Sequence, residues 1–117
     1  MAKPLTAPGD KTSRRGPGCG EGLVELNPTT HEFLKALASP TRQRIMLLFA
    51  KGAELSVNEV AERVGIGQST ASQQLALLRR GGIVTSRRDG KTVFYSADRD
   101  GTTAALTDLQ TYLKNCC

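Results

Sequence analysis

The strongest constraint on this chain is a pair of short helical patterns separated by Gly65-Ile66-Gly67 and followed by a basic, alternating stretch around Asp89-Gly90. Ser56-Val57-Asn58-Glu59 fits a capping box, in which the serine hydroxyl and the glutamate carboxylate satisfy free backbone donors at a helix start. A helix is therefore expected from there through Val64. After the glycine turn, Gln68-Ser69-Thr70 opens another helix, whose Ala71, Leu75 and Leu78 share one face until Gly81-Gly82 stops it. Two helices, a short glycine turn and a polar N-terminus on the second make a helix-turn-helix pattern. Ile83 to Arg88 and Lys91 to Ser96 then alternate as two strands about Asp89-Gly90, a dipeptide suited to a two-residue hairpin turn, and so form a wing.

The flanking segments complete a helical domain. Asn27-Pro28 caps and opens a first helix to about Ala38, with Phe33, Leu34, Leu37 and Ala38 as its apolar face. Ser39-Pro40 repeats the signal for a second helix through Lys51, ended by Gly52; Ile45, Leu48 and Phe49, widened by Met46 and Leu47, make it the expected centre of the core. A last helix is expected over Asp100 to Cys117, with Leu106, Leu109 and Leu113 as its stripe and Cys116 and Cys117 at its end. Aromatic residues are only 4% and Trp is absent, so the core must come from aliphatic side chains, as in packed helices. The expected fold is thus mainly α with a small β-hairpin wing, a winged helix-turn-helix domain over residues 27–117. Before it, residues 1–26 form an expected flexible arm, since Met1 to Gly22 holds three prolines and five glycines among scattered charges and little to bury.

Charge points to a polyanionic partner. Sixteen Lys and Arg against eleven Asp and Glu give +5, and Arg79, Arg80, Arg87, Arg88 and Lys91 crowd a segment in which Asp89 is the only acid. Gln68, Ser69, Thr70, Ser72 and Gln73 stand where a recognition helix presents polar groups to base edges, while Leu75 and Leu78 anchor it. Arg87, Arg88 and Lys91 are the wing's candidate phosphate contacts, although strand alternation turns Arg87 and Arg88 to opposite faces. A capped, solvated helix face would look similar in isolation; the preceding helix, turn and basic hairpin favour double-stranded DNA. No stretch nears the roughly 20 apolar residues of a membrane span, and no apolar signal-peptide core is present, so a cytoplasmic protein is expected. An enzyme is not expected, because His31, the one histidine, has no identifiable nucleophile partner and no phosphate-cradling glycine loop occurs. His31 reads as an ordinary surface or interface residue.

Three segments carry a resemblance to a known family. Lys35-Ala-Leu-Ala-Ser-Pro-Thr-Arg-Gln-Arg-Ile-Met is similar to the signature joining the first two helices of ArsR/SmtB regulators. Gln68-Ser-Thr-Ala-Ser-Gln-Gln-Leu-Ala-Leu-Leu and the Arg88-Asp-Gly-Lys…Phe-Tyr-Ser hairpin look like that family's recognition helix and wing. The likeness runs from about Pro28 to Ser96, and departs from the family at Gln73, where His is frequent. It implies a homodimer built by the first and last helices, binding an inverted repeat in operator DNA, with repression relieved by an inducer. The leucine stripe of the last helix supports the dimer independently, because so small a domain leaves such a face partly exposed.

The family's scaffold carries different sensing sites, so the residues must name the ligand. The site with two cysteines one residue apart on the third helix has no counterpart in Leu55-Ser56-Val57-Asn58-Glu59, and the histidine-based zinc site of the last helix is missing too. Cys19, between Gly18 and Gly20, and the terminal pair Cys116 and Cys117 remain. An odd number of cysteines in a cytosolic chain argues for free thiols. Three soft sulfur donors suit As(III) or Sb(III) over zinc, nickel or cobalt, with Hg(II) or Cd(II) as alternatives. Adjacent helical residues diverge by about 100°, so the terminal pair would share an ion most easily from a frayed last turn. Residues Cys19 to Pro28 could span up to ~30 Å, letting the third thiolate come from either protomer. A thiol redox switch between Cys19 and the terminal pair, or a DNA-binding module with incidental cysteines, stays open beside this reading.

Overall fold

A computed structural model describes residues 25–116; the arm carrying Cys19, apart from Glu25 and Leu26, and Cys117 lie outside the described residues. Two helices open the domain, α1 (Pro28–Leu37) and α2 (Pro40–Leu48), each with proline in its first turn and a capping side chain, Asn27 and Ser39. A single 3-10 turn over Ala50–Gly52 leads to β1 (Glu54–Ser56), then to α3 (Val57–Val64) and α4 (Gln68–Arg80). β2 (Val84–Asp89), β3 (Thr92–Ala97) and α5 (Arg99–Lys114) follow.

The helix-turn-helix forms as its sequence predicts. Glu59 N–H donates to Ser56 Oγ at 3.2 Å while Ser56 N–H donates to Glu59 Oε1 at 2.8 Å, the reciprocal bonds of a capping box. Gly65 closes α3 in the left-handed conformation, its N–H returning to Ala61 O at 2.9 Å. α4 follows from Gly67 and buries Ala71, Leu75 and Leu78 completely, each at 0% exposure.

Four elements depart from the sequence reading. α2 stops at Leu48, and Lys51 takes a left-handed φ of 64° where a continuous helix was expected. Within α2 only Ile45 is buried, and Leu47 is 74% exposed. Two residues advance a helix by about 200°, so Leu47 points opposite to Ile45 and the apparent stripe has an outer edge. The centre of the core is shared instead: Ile45, Val60, Leu75, Leu78 and Val84, from α2, α3, α4 and β2, are its largest fully buried side chains.

The wing belongs to a three-stranded antiparallel sheet, ordered β1-β3-β2, rather than to a lone hairpin. β1 pairs Leu55 with Tyr95 on β3, and β2 pairs Ser86 with the same Tyr95; Leu55 and Tyr95 are both buried. Three residues are too few for β1 to show an alternating pattern, so it hides in the helix-start signal. The hairpin loop is Gly90-Lys91, because Asp89 pairs with Thr92 and ends the ladder. A positive φ at Gly90 (64°) and not at Lys91 is the arrangement of a type II′ turn, which needs glycine first.

Finally, α5 starts one residue earlier than expected, under an Asp98 cap that accepts from Gly101 N–H at 2.9 Å, and ends at Lys114 with Asn115 as its cap. Cys116 therefore follows the helix, tethered by its N–H to Leu113 O at 3.2 Å. No helix among the described residues is long and apolar enough to cross a membrane.

Candidate nucleic-acid interface

α4 divides cleanly into an anchored and a free face. Ala71, Leu75 and Leu78 fix it to the core, while Gln68, Ser69, Thr70, Ser72 and Gln73 are all exposed at its N-terminal half. Neither glutamine nor any of these hydroxyls makes a hydrogen bond to another side chain among the described residues, so their polar groups are directed to solvent. The helix N-terminus adds free backbone N–H groups and a favourable field for phosphate.

Beside this face lies the wing. A recess of about 240 Å³ is lined by Ser56, Val57 and Asn58 at the start of α3, Gln68 of α4, and Lys91, Thr92 and Val93 of the hairpin. A shallow hollow of about 390 Å³ adjoins it, lined by Val57, Gln68, Ser69 and Ser72. Gln68 and Lys91, far apart in sequence, thus border one concave strip. Asn58 and Thr92 join it although sequence reasoning passed over them. For Asn58 the signal was present, an exposed polar residue just inside the capping box.

The three wing cations separate. Arg87 donates through Nε and Nη2 to the two carboxylate oxygens of Glu54, both at 2.7 Å, and its guanidinium lies 4.9 Å from the centre of the Phe94 ring. Asp89 adds a looser ion pair at 4.0 Å. Hydrogen bonding and charge from Arg87 hold the Glu54 carboxyl below its ordinary range, and Glu54 in turn raises the Arg87 guanidinium. Arg88, paired opposite Val93, lies on the other face of the sheet; it and Lys91 are exposed and have no ion-pair partner among the described residues. Arg79, at the C-terminal end of α4, is likewise exposed, while Arg80 lies 3.9 Å from Glu32 on α1.

Behind α4, Arg42 ties it to the front of the domain. Its Nε and Nη2 donate to the C-terminal carbonyls of α1, Ala36 O at 2.9 Å and Lys35 O at 3.0 Å, and its Nη1 donates to Gln74 Oε1 at 2.9 Å. One guanidinium thus ends α1 and steadies the helix that carries the polar face. α1 also packs on α5, where Asn27 N–H donates to Asp108 Oδ2 at 3.2 Å. On the outer side of α5, Leu106 (51% exposed) and Leu113 (59% exposed) remain open, with Leu109 half-buried. His31 is exposed on α1.

Of the three cysteines only Cys116 lies within the described residues, half-buried and free. Among the described residues no group of three or more His, Cys, Asp or Glu gathers into a metal-binding cluster. Any three-thiol site would thus need Cys19 and Cys117, both outside them.

Comparison with known proteins places this architecture. A helix-turn-helix domain family matches residues 37–87. The biofilm growth-associated repressor of Xylella fastidiosa is 47% identical over 63 residues, which cover 54% of this chain and 54% of that protein, so the chain spans about half the length of this curated relative. Two solved structures align over most of their length. One, titled a possible transcriptional regulator for arsenical resistance, is 32% identical with a TM-score of 0.60, covering 69% of this chain and 83% of that one. The other is the homodimeric winged helix-turn-helix DNA-binding domain of a possible ArsR-family regulator from Mycobacterium bovis, 32% identical with a TM-score of 0.57, covering 71% of this chain and 78% of that one. One of these relatives is named as a repressor and the other two as possible regulators of transcription, and with the fold in agreement the chain belongs to the ArsR/SmtB family of winged helix-turn-helix transcriptional regulators.

Proposed function

We propose that this chain is a cytoplasmic transcriptional repressor that binds an inverted repeat in double-stranded operator DNA as a homodimer and is released by a thiophilic metalloid. The observation that carries the DNA-binding part is α4 itself: five exposed polar side chains, Gln68, Ser69, Thr70, Ser72 and Gln73, on a helix locked from behind by three fully buried residues. Such a helix can enter a major groove, where glutamine bonds adenine in two places, while Arg88 and Lys91 follow the flanking phosphates. A relative named as a repressor and a homodimeric DNA-binding relative support the same reading.

The homodimer is assigned to α1 and α5, because Leu106 and Leu113 leave an apolar face uncovered on a helix already packed against α1. A twofold axis there would set two α4 helices side by side, and the operator would mirror that symmetry.

The inducer is assigned to Cys19, Cys116 and Cys117. Three thiolates favour As(III) or Sb(III), with Hg(II) or Cd(II) next in order of chemical fit. In support, Cys116 is a free thiol beyond the end of α5, outside the constraint of helical geometry, and one relative is titled for arsenical resistance. Drawing the arm onto the end of α5 would act on the helix pair that sets the spacing of the two α4 helices. The ion shifts DNA affinity only by binding the DNA-incompetent arrangement more tightly.

The test uses reduced, anaerobic protein bound to an operator selected from random DNA. Arsenite at stoichiometric amounts should release the wild type, and Cys19→Ser, Cys116→Ser or Cys117→Ser should each retain DNA binding and lose release. Release that persists in all three variants removes the metalloid site, and release by peroxide alone replaces it with a redox switch.

A further inference from the structure

The ion pair that removes Arg87 from the list of free wing cations also gives it a different task. In the sheet, Arg87 pairs with Phe94, and Phe94 pairs on its other side with Ser56; Glu54 stands two residues before Ser56 on the same strand. Residues directly paired across antiparallel strands share a face, as do residues two apart, so Glu54, Ser56, Phe94 and Arg87 all lie on one face. Arg87 reaches across β3 over the Phe94 ring and grips Glu54 with two parallel 2.7 Å bonds. β1 runs directly into α3, whose N-cap is Ser56. A strand of the wing is thereby fastened to the strand that leads into the helix-turn-helix, and Ser56, at the end of that strand, lines the recess that holds Gln68 and Lys91.

We infer that Arg87 acts on DNA binding at one remove, as the positioning residue that sets the wing against the helix-turn-helix through Glu54, and makes no phosphate contact itself. The geometry fits no other role as well. Both carboxylate oxygens of Glu54 already face the guanidinium, the aromatic ring covers one of its planar sides, and Asp89 lies on its flank. A phosphate would have to displace a bidentate carboxylate, whereas Arg88 and Lys91 offer unpaired charge within four residues. Bidentate arginine–carboxylate geometry is the case in which an exposed ion pair holds its shape. A wing held ready loses less conformational freedom when DNA arrives, which raises affinity without adding a contact.

The inference rests on the DNA-binding reading above, and two measurements on the full chain keep them apart. In free protein, hydrogen exchange at the amides of β2 and β3 should be faster in R87E than in wild type and return to the wild-type pattern in the charge swap E54R/R87E. On operator DNA, R87E should weaken binding by about fivefold, the upper end for an exposed pair, and the swap should return it to within about twofold of wild type. The milder R87Q should weaken binding with the slope of log affinity against log salt unchanged, since no phosphate contact is lost. A swap that stays as weak as R87E, or a slope reduced by about one in R87Q, makes Arg87 a phosphate ligand and overturns the inference. Wild-type protein that binds no DNA sinks the DNA-binding reading alone, because the exchange measurement still reports on the clamp.

Discussion

Single residues set the tolerances of this domain. Gly101, in the first turn of α5, has no room for a side chain, since a Cβ there would collide with the carbonyl oxygen of Gly82 and meet the Asp98 carboxylate that caps the helix. Gly101→Ala should cost about 1–3 kcal/mol in urea unfolding, the usual range for forced overpacking. Titration acts at two other positions. Backbone hydrogen bonding at Ser56 holds Glu59 below the ordinary carboxylate range, as Arg87 holds Glu54. A carboxyl whose pKa is lowered by folding stabilises the folded state above its unfolded value and loses that effect as pH falls through the folded one. Stability should therefore decline from the unperturbed value of 4.5 downward, and less steeply in E54Q than in wild type. The capping box was legible from sequence because its partners are three residues apart. Arg42 and Arg87 were not, for their partners Gln74 and Glu54 lie 32 and 33 positions away and only the fold brings them together.

At the scale of elements, α4 was the most legible and β1 the least. A long amphipathic pattern bounded by glycines declares a helix, whereas Glu54–Ser56 becomes a strand only because β3 offers it an edge. The same limit misjudged α2, where a run of apolar residues concealed that Leu47 faces outward. How α4 is held gives a sharp expectation. Arg42→Ala removes two bonds to α1 carbonyls and one to Gln74, and at about 1.5–3 kcal/mol for a charged hydrogen-bond donor it should lower the thermal midpoint measurably. Leu75→Ala, at a position with no exposure, should cost about 2–5 kcal/mol and leave a marginal domain. Calorimetry or urea titration at fixed protein concentration reads both.

For the molecule as a whole, the proposed function requires that two copies present α4 together, and the proposal places their join at the open leucines of α5. Leu106→Glu with Leu113→Glu should yield a monomer by sedimentation while leaving the helical content intact, since neither side chain belongs to the core; an undisturbed dimer would place the interface elsewhere. The general reading, a basic winged-helix regulator, followed from three motifs in order along the chain. Which wing arginine is held in an ion pair did not, because alternation showed that Arg87 and Arg88 diverge without showing which one meets a carboxylate. The central claim, that the outer face of α4 reads operator sequence, is tested most directly by competition binding of Gln68→Ala/Gln73→Ala against wild type, on the selected operator and on scrambled DNA of equal length. The account predicts that the variant loses the preference for its operator by an amount equivalent to about 1–3 kcal/mol per lost base contact, with its scrambled-DNA affinity and folding unchanged. A variant that still distinguishes the two sequences as well as wild type would contradict it.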